Sequence, residues 1–249
     1  MTTEERFVPR LIVALDLPDL ASARRVLVAL RPAVDFFKVG SQLFTACGPD
    51  AVRLVRDHGA EVFLDLKFHD IPQTVEAAAA AAARLGVRMF NVHALGGVEM
   101  MVRARRGAHE GAADTKPPIV LGVTVLTSAN TAALRSVGVA GDVPEAAVRL
   151  ASLSRDAGLD GVVCSVHEVA AIKAACGSDF VAVVPGIRPR EVCDDDQSRT
   201  GNLRSAVLAG ADYVVVGRPI LQAPDPPAVA RATIEALDMI ALKISHRRP

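Results

Sequence analysis

The sequence predicts an α/β fold in which eight parallel strands close into a barrel, and three observations support this. Short apolar runs that end in polar or glycine residues recur about every 29 residues, close to the length of one strand-helix-strand unit. Helical patterns alternate with these runs along the whole chain. The length of 249 residues suits one such domain over residues 1–249. We therefore expect a single (β/α)8 TIM barrel, with an open doubly wound sheet as the alternative.

The predicted strands are apolar along their full length. Hydrophobic residues make up 51% of the chain and aromatic residues only 4%, a composition typical of parallel strands that are buried on both faces. In chain order, strands are expected at Leu11–Leu15, Val34–Val39, Val62–Leu66, Arg88–Val92, Ile119–Val125, Gly161–Cys164, Val181–Val184 and Tyr213–Val216.

The segments between these strands have helical patterns. The third of them contains seven consecutive alanines at residues 77–83, which favour a helix. Gly158 and Gly210 follow two others, where a left-handed residue ends a helix well. In chain order, helices are expected at Leu20–Leu30, Pro49–His58, Thr74–Leu85, Gly97–Glu110, Pro144–Ala157, Glu168–Ala175, Leu203–Ala209 and Pro226–Leu242.

Composition and charge exclude several classes of function. Lys and Arg number 28, as do Asp and Glu, so no overall field attracts nucleic acid or an anionic membrane. The N-terminus has no signal-peptide pattern, and no apolar run reaches the roughly 20 residues that span a bilayer. The spacing of Cys47, Cys164, Cys176 and Cys193 fits neither zinc ligands nor a disulfide framework, so we interpret them as small buried free thiols. These features predict a soluble cytoplasmic protein.

Three ionisable residues cluster where the third predicted strand ends. Asp65 and Lys67 are two residues apart, so their side chains share one face of a strand, and Asp70 follows in the next loop. Charges at the end of a buried strand are costly unless they pair or take part in chemistry. The segment therefore indicates a functional site.

Polar residues also end most of the other predicted strands. In a barrel these ends meet on one face, where barrel enzymes have their active sites. The residues are Asp16, Lys38, Asn91, His93, Thr127, Ser128, Pro185-Gly186-Ile187-Arg188 and Gly217-Arg218. Structural alternatives remain: a solvated ion pair for Asp16 with Lys38, a turn cap for Asn91, and structural roles for His69 and His93.

Two segments indicate a phosphorylated ligand. Gly217-Arg218-Pro219-Ile220 follows the last strand and opens a helical segment, where backbone N–H groups and a guanidinium favour phosphate binding. Residues 186–201 form a long polar segment that contains Gln197 and several arginines, and we interpret it as a lid. A flexible loop without function is the alternative.

The chain resembles the orotidine 5′-phosphate decarboxylase family over nearly its whole length. The most specific match is the segment 65–75, Asp-Leu-Lys-Phe-His-Asp-Ile-Pro-Gln-Thr-Val. Weaker matches occur, in the family's order, at residues 14–16, 37–40, 92–93, 123–128, 185–188, 195–197 and 216–220. After the lid the family usually has a Thr-Pro pair that opens the next helix, whereas this chain has Thr200-Gly201-Asn202-Leu203.

The resemblance implies loss of CO2 from orotidine 5′-monophosphate to give UMP, without cofactor or metal. Lys38, Asp65, Lys67 and Asp70 would form the family's alternating charge array. Within it, Lys67 would protonate C6 of the pyrimidine, and Asp65 would lie beside the departing carboxylate.

The resemblance also implies the remaining site residues and a homodimer. These residues are Asp16 and Lys38 for the ribose, Thr127 and Ser128 for the pyrimidine, and Gln197, Gly217 and Arg218 for the phosphate, with Arg188 close by. Pro185 is a further expected substrate contact. Asp70 and Thr74 would reach into the neighbouring subunit's site.

Two other functions stay open at this point. A metal-dependent sugar-phosphate decarboxylase or aldolase on the same barrel also uses an Asp-x-Lys-x-x-Asp strand, and metal dependence would distinguish it. A non-catalytic barrel that binds a nucleotide is the third possibility.

Overall fold

The computed structural model describes residues 8–188 and 201–245, and it confirms the predicted (β/α)8 barrel. Eight parallel strands close on themselves, so the alternative of an open sheet is wrong. They are β1 (Arg10–Ala14), β2 (Phe36–Gly40), β3 (Glu61–Phe68), β4 (Met89–His93), β5 (Ile119–Val123), β6 (Gly161–Val163), β7 (Val181–Val184) and β10 (Tyr213–Val216).

Two further strands lie outside the barrel. They are β8 (Ile187–Arg188) and β9 (Gly201–Asn202), which pair in parallel at the two ends of the predicted lid. The interior of that segment lies outside the described residues.

Helices follow the strands at nearly the predicted positions. In the described residues they are α1 (Leu20–Leu30), α2 (Ser41–Cys47), α3 (Asp50–Asp57), α4 (Pro72–Arg84), α5 (Gly97–Ala112), α6 (Thr131–Ser136), α7 (Val143–Asp156), α8 (Val169–Cys176), α9 (Leu203–Ala209), α10 (Arg218–Leu221) and α11 (Pro226–Ser245). The list of expected helices lacked only short ones, namely α2, α6, α10 and a 3-10 turn at Ala94–Gly96.

The barrel interior is a packed apolar layer beneath the carboxyl ends of the strands. It contains Ile12, Ala14, Phe36, Phe63, Met89, Leu121, Val123, Val163, Val183 and Val215. Since side chains alternate along a strand, the next inward residue after Phe36 is Lys38, after Phe63 is Asp65 and after Met89 is Asn91. The alternation of side chains along these strands thus places a polar layer above the apolar layer, which forms the floor of the barrel's carboxyl end.

Ion pairs cover the opposite end of the barrel. The Arg10 guanidinium lies 3.0 Å from the Asp35 carboxylate and 2.5 Å from that of Glu61, and Arg88 approaches Glu61 at 3.3 Å. The same guanidinium lies 5.1 Å above the centre of the Phe36 ring. Four charged groups and an aromatic ring therefore lie at the amino ends of β1, β2, β3 and β4.

Helices α4 and α5 pack closely because α5 has glycine on the contact face. A Cβ atom at Gly107 would overlap the carbonyl oxygen of Glu76, and one at Gly111 would overlap that of Ala80. The buried Glu76 carboxylate accepts a hydrogen bond from Arg103 at 2.7 Å on α5. The segment that begins α4 is thereby fixed against α5.

Candidate active site

A cavity of about 350 Å³ opens at the carboxyl ends of the barrel strands, above the apolar layer. Ala14, Phe63, Val123, Val163 and Val215 belong to both the layer and the cavity wall. Its other lining residues include most of the predicted site, namely Asp16, Lys38, Asp65, Lys67, Thr127, Ser128, Pro185, Arg188, Gly217 and Arg218.

Four charged side chains form a row of alternating sign across this cavity. The Lys38 ammonium donates to Asp16 at 2.8 Å and lies 3.3 Å from Asp65. Asp65 in turn accepts from the Lys67 ammonium at 2.7 Å. Since β1, β2 and β3 are neighbours in the barrel, the order Asp16, Lys38, Asp65, Lys67 follows from the strand order.

Burial strengthens the charge interactions in the middle of this row. Only 13% of the Asp65 side chain and 10% of the Lys38 side chain are exposed. Burial alone would raise the pKa of Asp65. The charges of Lys38 and Lys67, together with hydrogen bonds, outweigh this effect, so the pKa of Asp65 lies below its ordinary value. Burial would lower the pKa of Lys38, yet Asp65 and Asp16 raise it above its ordinary value. Both groups are therefore ionised at neutral pH.

The backbone at Lys67 is unusual. Its φ is 53°, in the left-handed region that non-glycine residues seldom occupy, and the pairing of β3 with β4 shifts register between Leu64 and Phe68. The shift in register and the left-handed residue lie at the Lys67 end of the charged row. Strained backbone of this kind is frequent at functional sites.

Asn91 is a site residue whose role the sequence did not indicate. It is fully buried on β4; its amide nitrogen donates to Asp65 at 2.7 Å, and its amide oxygen accepts from the Lys67 backbone N–H at 2.8 Å. Its partners lie on the adjacent strand, so it does not cap a turn. Only the inward register of β4 could have suggested this contact.

The rest of the cavity wall carries the residues predicted for base and phosphate. Thr127 and Ser128 follow β5, and Arg188 lies on β8. Gly217 and Arg218 follow β10 on the side of the cavity next to β1. Gln197, also predicted here, lies outside the described residues.

Asp70 and Thr74 do not line the cavity of their own chain. Both are exposed, and the Asp70 carboxylate accepts from the backbone N–H of Ile71 at 2.6 Å. Large apolar side chains are exposed in the same part of the sequence and in the segment after β4, including Ile71 (65%), Leu95 (46%) and Val102 (45%). Such exposed apolar groups are typical of interaction surfaces when they are contiguous.

His69 and His93 form a ring pair beside the charged row, which the sequence did not predict. Their ring centres are 5.4 Å apart. The Nδ1 atom of His93 is buried without a hydrogen-bond partner among the described residues. Burial, then His69 and Lys67, hold the pKa of His93 below its ordinary value. His93 is therefore a neutral group near the reaction centre.

Fold and site together define a (β/α)8-barrel protein with a row of lysines and aspartates in the cavity at the carboxyl ends of its strands. Among the described residues, no group of three or more His, Cys, Asp or Glu side chains has the geometry to hold a metal ion. No helix in the described part of the chain is long and apolar enough to cross a membrane.

Comparison with known proteins identifies the family. The profile of the Orotidine 5'-phosphate decarboxylase / HUMPS family matches residues 9–233. A protein of Syntrophotalea carbinolica, named orotidine 5'-phosphate decarboxylase, is 54% identical over 92% of this chain and 94% of its own length. One from Moorella thermoacetica with the same name is 50% identical over 93% of each.

A solved structure gives the same result. The crystal structure of orotidine 5'-phosphate decarboxylase from Lactobacillus acidophilus has a TM-score of 0.81 and 38% identity, covering 94% of this chain and 99% of that one. The chain belongs to the orotidine 5'-phosphate decarboxylase / HUMPS family. The predictions of family and of a decarboxylase are confirmed.

Proposed function

We propose that this protein converts orotidine 5′-monophosphate to UMP and CO2 without a cofactor or metal. The observation that carries the proposal is the row Asp16, Lys38, Asp65, Lys67 along the wall of a nucleotide-sized cavity. The relatives named above bear the name of this reaction. In the proposed reaction, the residues of the row supply the chemistry.

The reaction breaks the bond between C6 and the carboxylate carbon. CO2 leaves, the bonding electron pair stays on C6, and the carbanion takes a proton. The Lys67 ammonium is the proposed donor because a cation beside C6 stabilises the developing charge and carries the proton. Its 32% exposure lets the resulting amine regain a proton from water.

Asp65 is proposed to lie beside the carboxylate that departs. The low pKa of Asp65 keeps it ionised, so it repels the substrate's carboxylate, and the repulsion is relieved as CO2 leaves. Binding of the distant phosphate supplies the free energy that holds the substrate there. Lys38 and Lys67 keep Asp65 in place during this step.

The other cavity residues are proposed to bind the parts of the substrate that do not react. Asp16 and Lys38 would bind the ribose hydroxyls, and the Arg218 guanidinium beside Gly217 would bind the phosphate. The remaining proposed contacts are Thr127, Ser128 and Pro185 with the pyrimidine, and Arg188 and Gln197 with the phosphate side.

A homodimer is part of the proposal. Asp70 lies outside its own cavity, and the exposed Ile71, Leu95 and Val102 supply apolar surface for a second copy. In such a dimer Asp70 and Thr74 of each subunit would complete the neighbouring site, next to Lys67. A cytoplasmic location stays a prediction.

The direct test is conversion of orotidine 5′-monophosphate by protein treated with a chelator, followed as loss of orotate absorbance. Full activity is expected, and a requirement for a divalent metal would instead support the sugar-phosphate enzyme. Lys67→Ala is expected to lose at least about 10⁴-fold in turnover, since it removes both the acid and the electrostatic stabilisation. Tight UMP binding without turnover by the wild type would support the non-catalytic barrel.

Subunit mixing tests the shared site. Lys67→Ala and Asp70→Asn are each expected to be nearly inactive alone. Mixing them in equal amounts and allowing exchange makes hybrid dimers with one intact site, so about one quarter of wild-type activity should return. No recovery, with exchange verified independently, would contradict a site shared between subunits.

A further inference from the structure

We propose that Asn91 is a positioning residue of the reaction centre, which sets where the Lys67 ammonium points and how the Asp65 carboxylate is held. This inference rests on the proposed decarboxylation. It is carried by two hydrogen bonds from one buried amide to the two residues that the mechanism uses.

The chemistry of its partners fixes the orientation of the Asn91 amide. The backbone N–H of Lys67 can only donate, so the amide oxygen must face it, at 2.8 Å. The Asp65 carboxylate can only accept, so the amide nitrogen must face it, at 2.7 Å. Asparagine satisfies both at once, whereas a carboxylate or an alkyl side chain of similar size does not.

The Lys67 bond replaces a missing bond of the sheet. Where β3 and β4 lose register, Lys67 has no backbone partner in the pairing with β4. The side-chain oxygen of Asn91 accepts a hydrogen bond from the Lys67 N–H, which has no partner in the strand pairing at the bulge. The φ of Lys67 is 53°. Asn91 thereby supports the left-handed backbone that turns the Lys67 side chain back over Asp65.

The Asp65 bond is shared with the proton donor. The same oxygen, Oδ1, accepts from the Asn91 amide at 2.7 Å and from the Lys67 ammonium at 2.7 Å. The second oxygen, Oδ2, faces Lys38 at 3.3 Å. Asn91 is therefore the neutral donor among the three groups that orient this carboxylate, and it adds no charge to the row.

The neutrality of Asn91 matters because charged groups surround it. Asp65 and Lys67 face Asn91 from β3, and Lys38 approaches Asp65 from β2. His93 lies two residues further along β4, and Leu121, the β5 residue paired with Asn91, is apolar. In Asn91→Asp, a carboxylate would face Asp65 across the former hydrogen bond. Two carboxylates this close share one proton at low pH and repel each other when both ionise.

Three variants test the role. Asn91→Leu removes both bonds and is expected to lower kcat about 100-fold or more while KM changes by less than about threefold, because the ribose and phosphate contacts lie on other strands. For Asn91→Asp, the kcat relative to wild type is expected to rise at least about tenfold when the pH is lowered from 8 to 5. The reason is that a proton shared by the two carboxylates restores the hydrogen bond to Asp65. Thr124→Val is the matched control, since Thr124 is also buried and gives one hydrogen bond, to Val163 at 3.1 Å, outside the row.

The control should lose thermal stability with a wild-type kcat and pH profile. Asn91→Leu with a kcat within threefold of wild type, whatever its thermal stability, would overturn the proposal. If Asn91→Leu does not fold, Asn91→Asp provides the test. A kcat of Asn91→Asp relative to wild type that does not change with pH would overturn the proposal. A wild-type protein that leaves orotidine 5′-monophosphate unchanged would instead refute the proposed function, before any variant is compared.

Discussion

Replacing Lys67 by glycine should make the protein more stable than replacing it by alanine, although both variants lose the ammonium. The reason is the backbone φ of 53° at this position, which brings the Cβ of any L-residue close to the following carbonyl. Alanine keeps that Cβ and glycine does not. The ion pair with Asp65 is absent from both variants, so its contribution cancels in the comparison.

The size of the effect follows from two opposing contributions. A left-handed conformation costs an L-residue about 1–2 kcal/mol. Glycine also loses more chain entropy on folding, about 0.4–1 kcal/mol relative to alanine. At the midpoints of these two ranges, the net gain for Lys67→Gly over Lys67→Ala is about 0.8 kcal/mol, or about 2–3 °C in Tm for a chain of this length.

The assay is urea unfolding followed by circular dichroism, with thermal unfolding as a second measurement. Ala113 is the matched control, because it is the other non-glycine residue with positive φ among those described, at 48°, and it ends α5 away from the cavity. Ala113→Gly should gain a similar amount and keep full activity. If Ala113→Gly is stabilised but Lys67→Gly is no more stable than Lys67→Ala, the left-handed backbone at Lys67 is not strained.

Three further outcomes are expected. Gly107→Ala should lower the free energy of unfolding by about 1–3 kcal/mol in urea titration, because its Cβ would overlap the Glu76 carbonyl oxygen on α4. The free energy of unfolding should fall as the pH drops below 6.5, the ordinary pKa of histidine, because the folded protein holds the pKa of His93 lower. Urea titrations at several pH values measure this, and His93→Gln should make the free energy of unfolding less dependent on pH. Ile71→Glu should weaken the proposed dimer, so sedimentation should show more monomer and activity should fall on dilution; a dimer as strong as wild type would place the interface elsewhere.

The fold was largely predictable because each barrel element leaves its own pattern in the sequence. β7 and β10 matched their apolar runs at both ends, Val181–Val184 and Tyr213–Val216. β3 was harder, since it continues beyond Leu66 to Phe68 through the charged Lys67, where the apolar run has ended. The helices α2 and α6 have seven and six residues, too few to show a helical period.

The site was predictable where its residues share one strand or one strand end. The period of two predicts that Asp65 and Lys67 lie together, and the barrel topology then adds Asp16 and Lys38 from neighbouring strands. The role of Asn91 was not predictable, because it depends on a bulge and a left-handed residue that no local pattern reveals. Contacts between strands depend on register, which the sequence alone does not define.

The apolar floor of the cavity and the ion pairs below it have a consequence for how the products leave. Side chains such as Phe36, Phe63 and Met89 fill the barrel interior, and Arg10, Glu61 and Arg88 lie across its far end. Among the described residues, a gas molecule released above this floor meets packed side chains and ion pairs below it. In the proposed reaction CO2 and UMP are therefore both expected to leave from the carboxyl end of the barrel, and the order in which they depart is decided there.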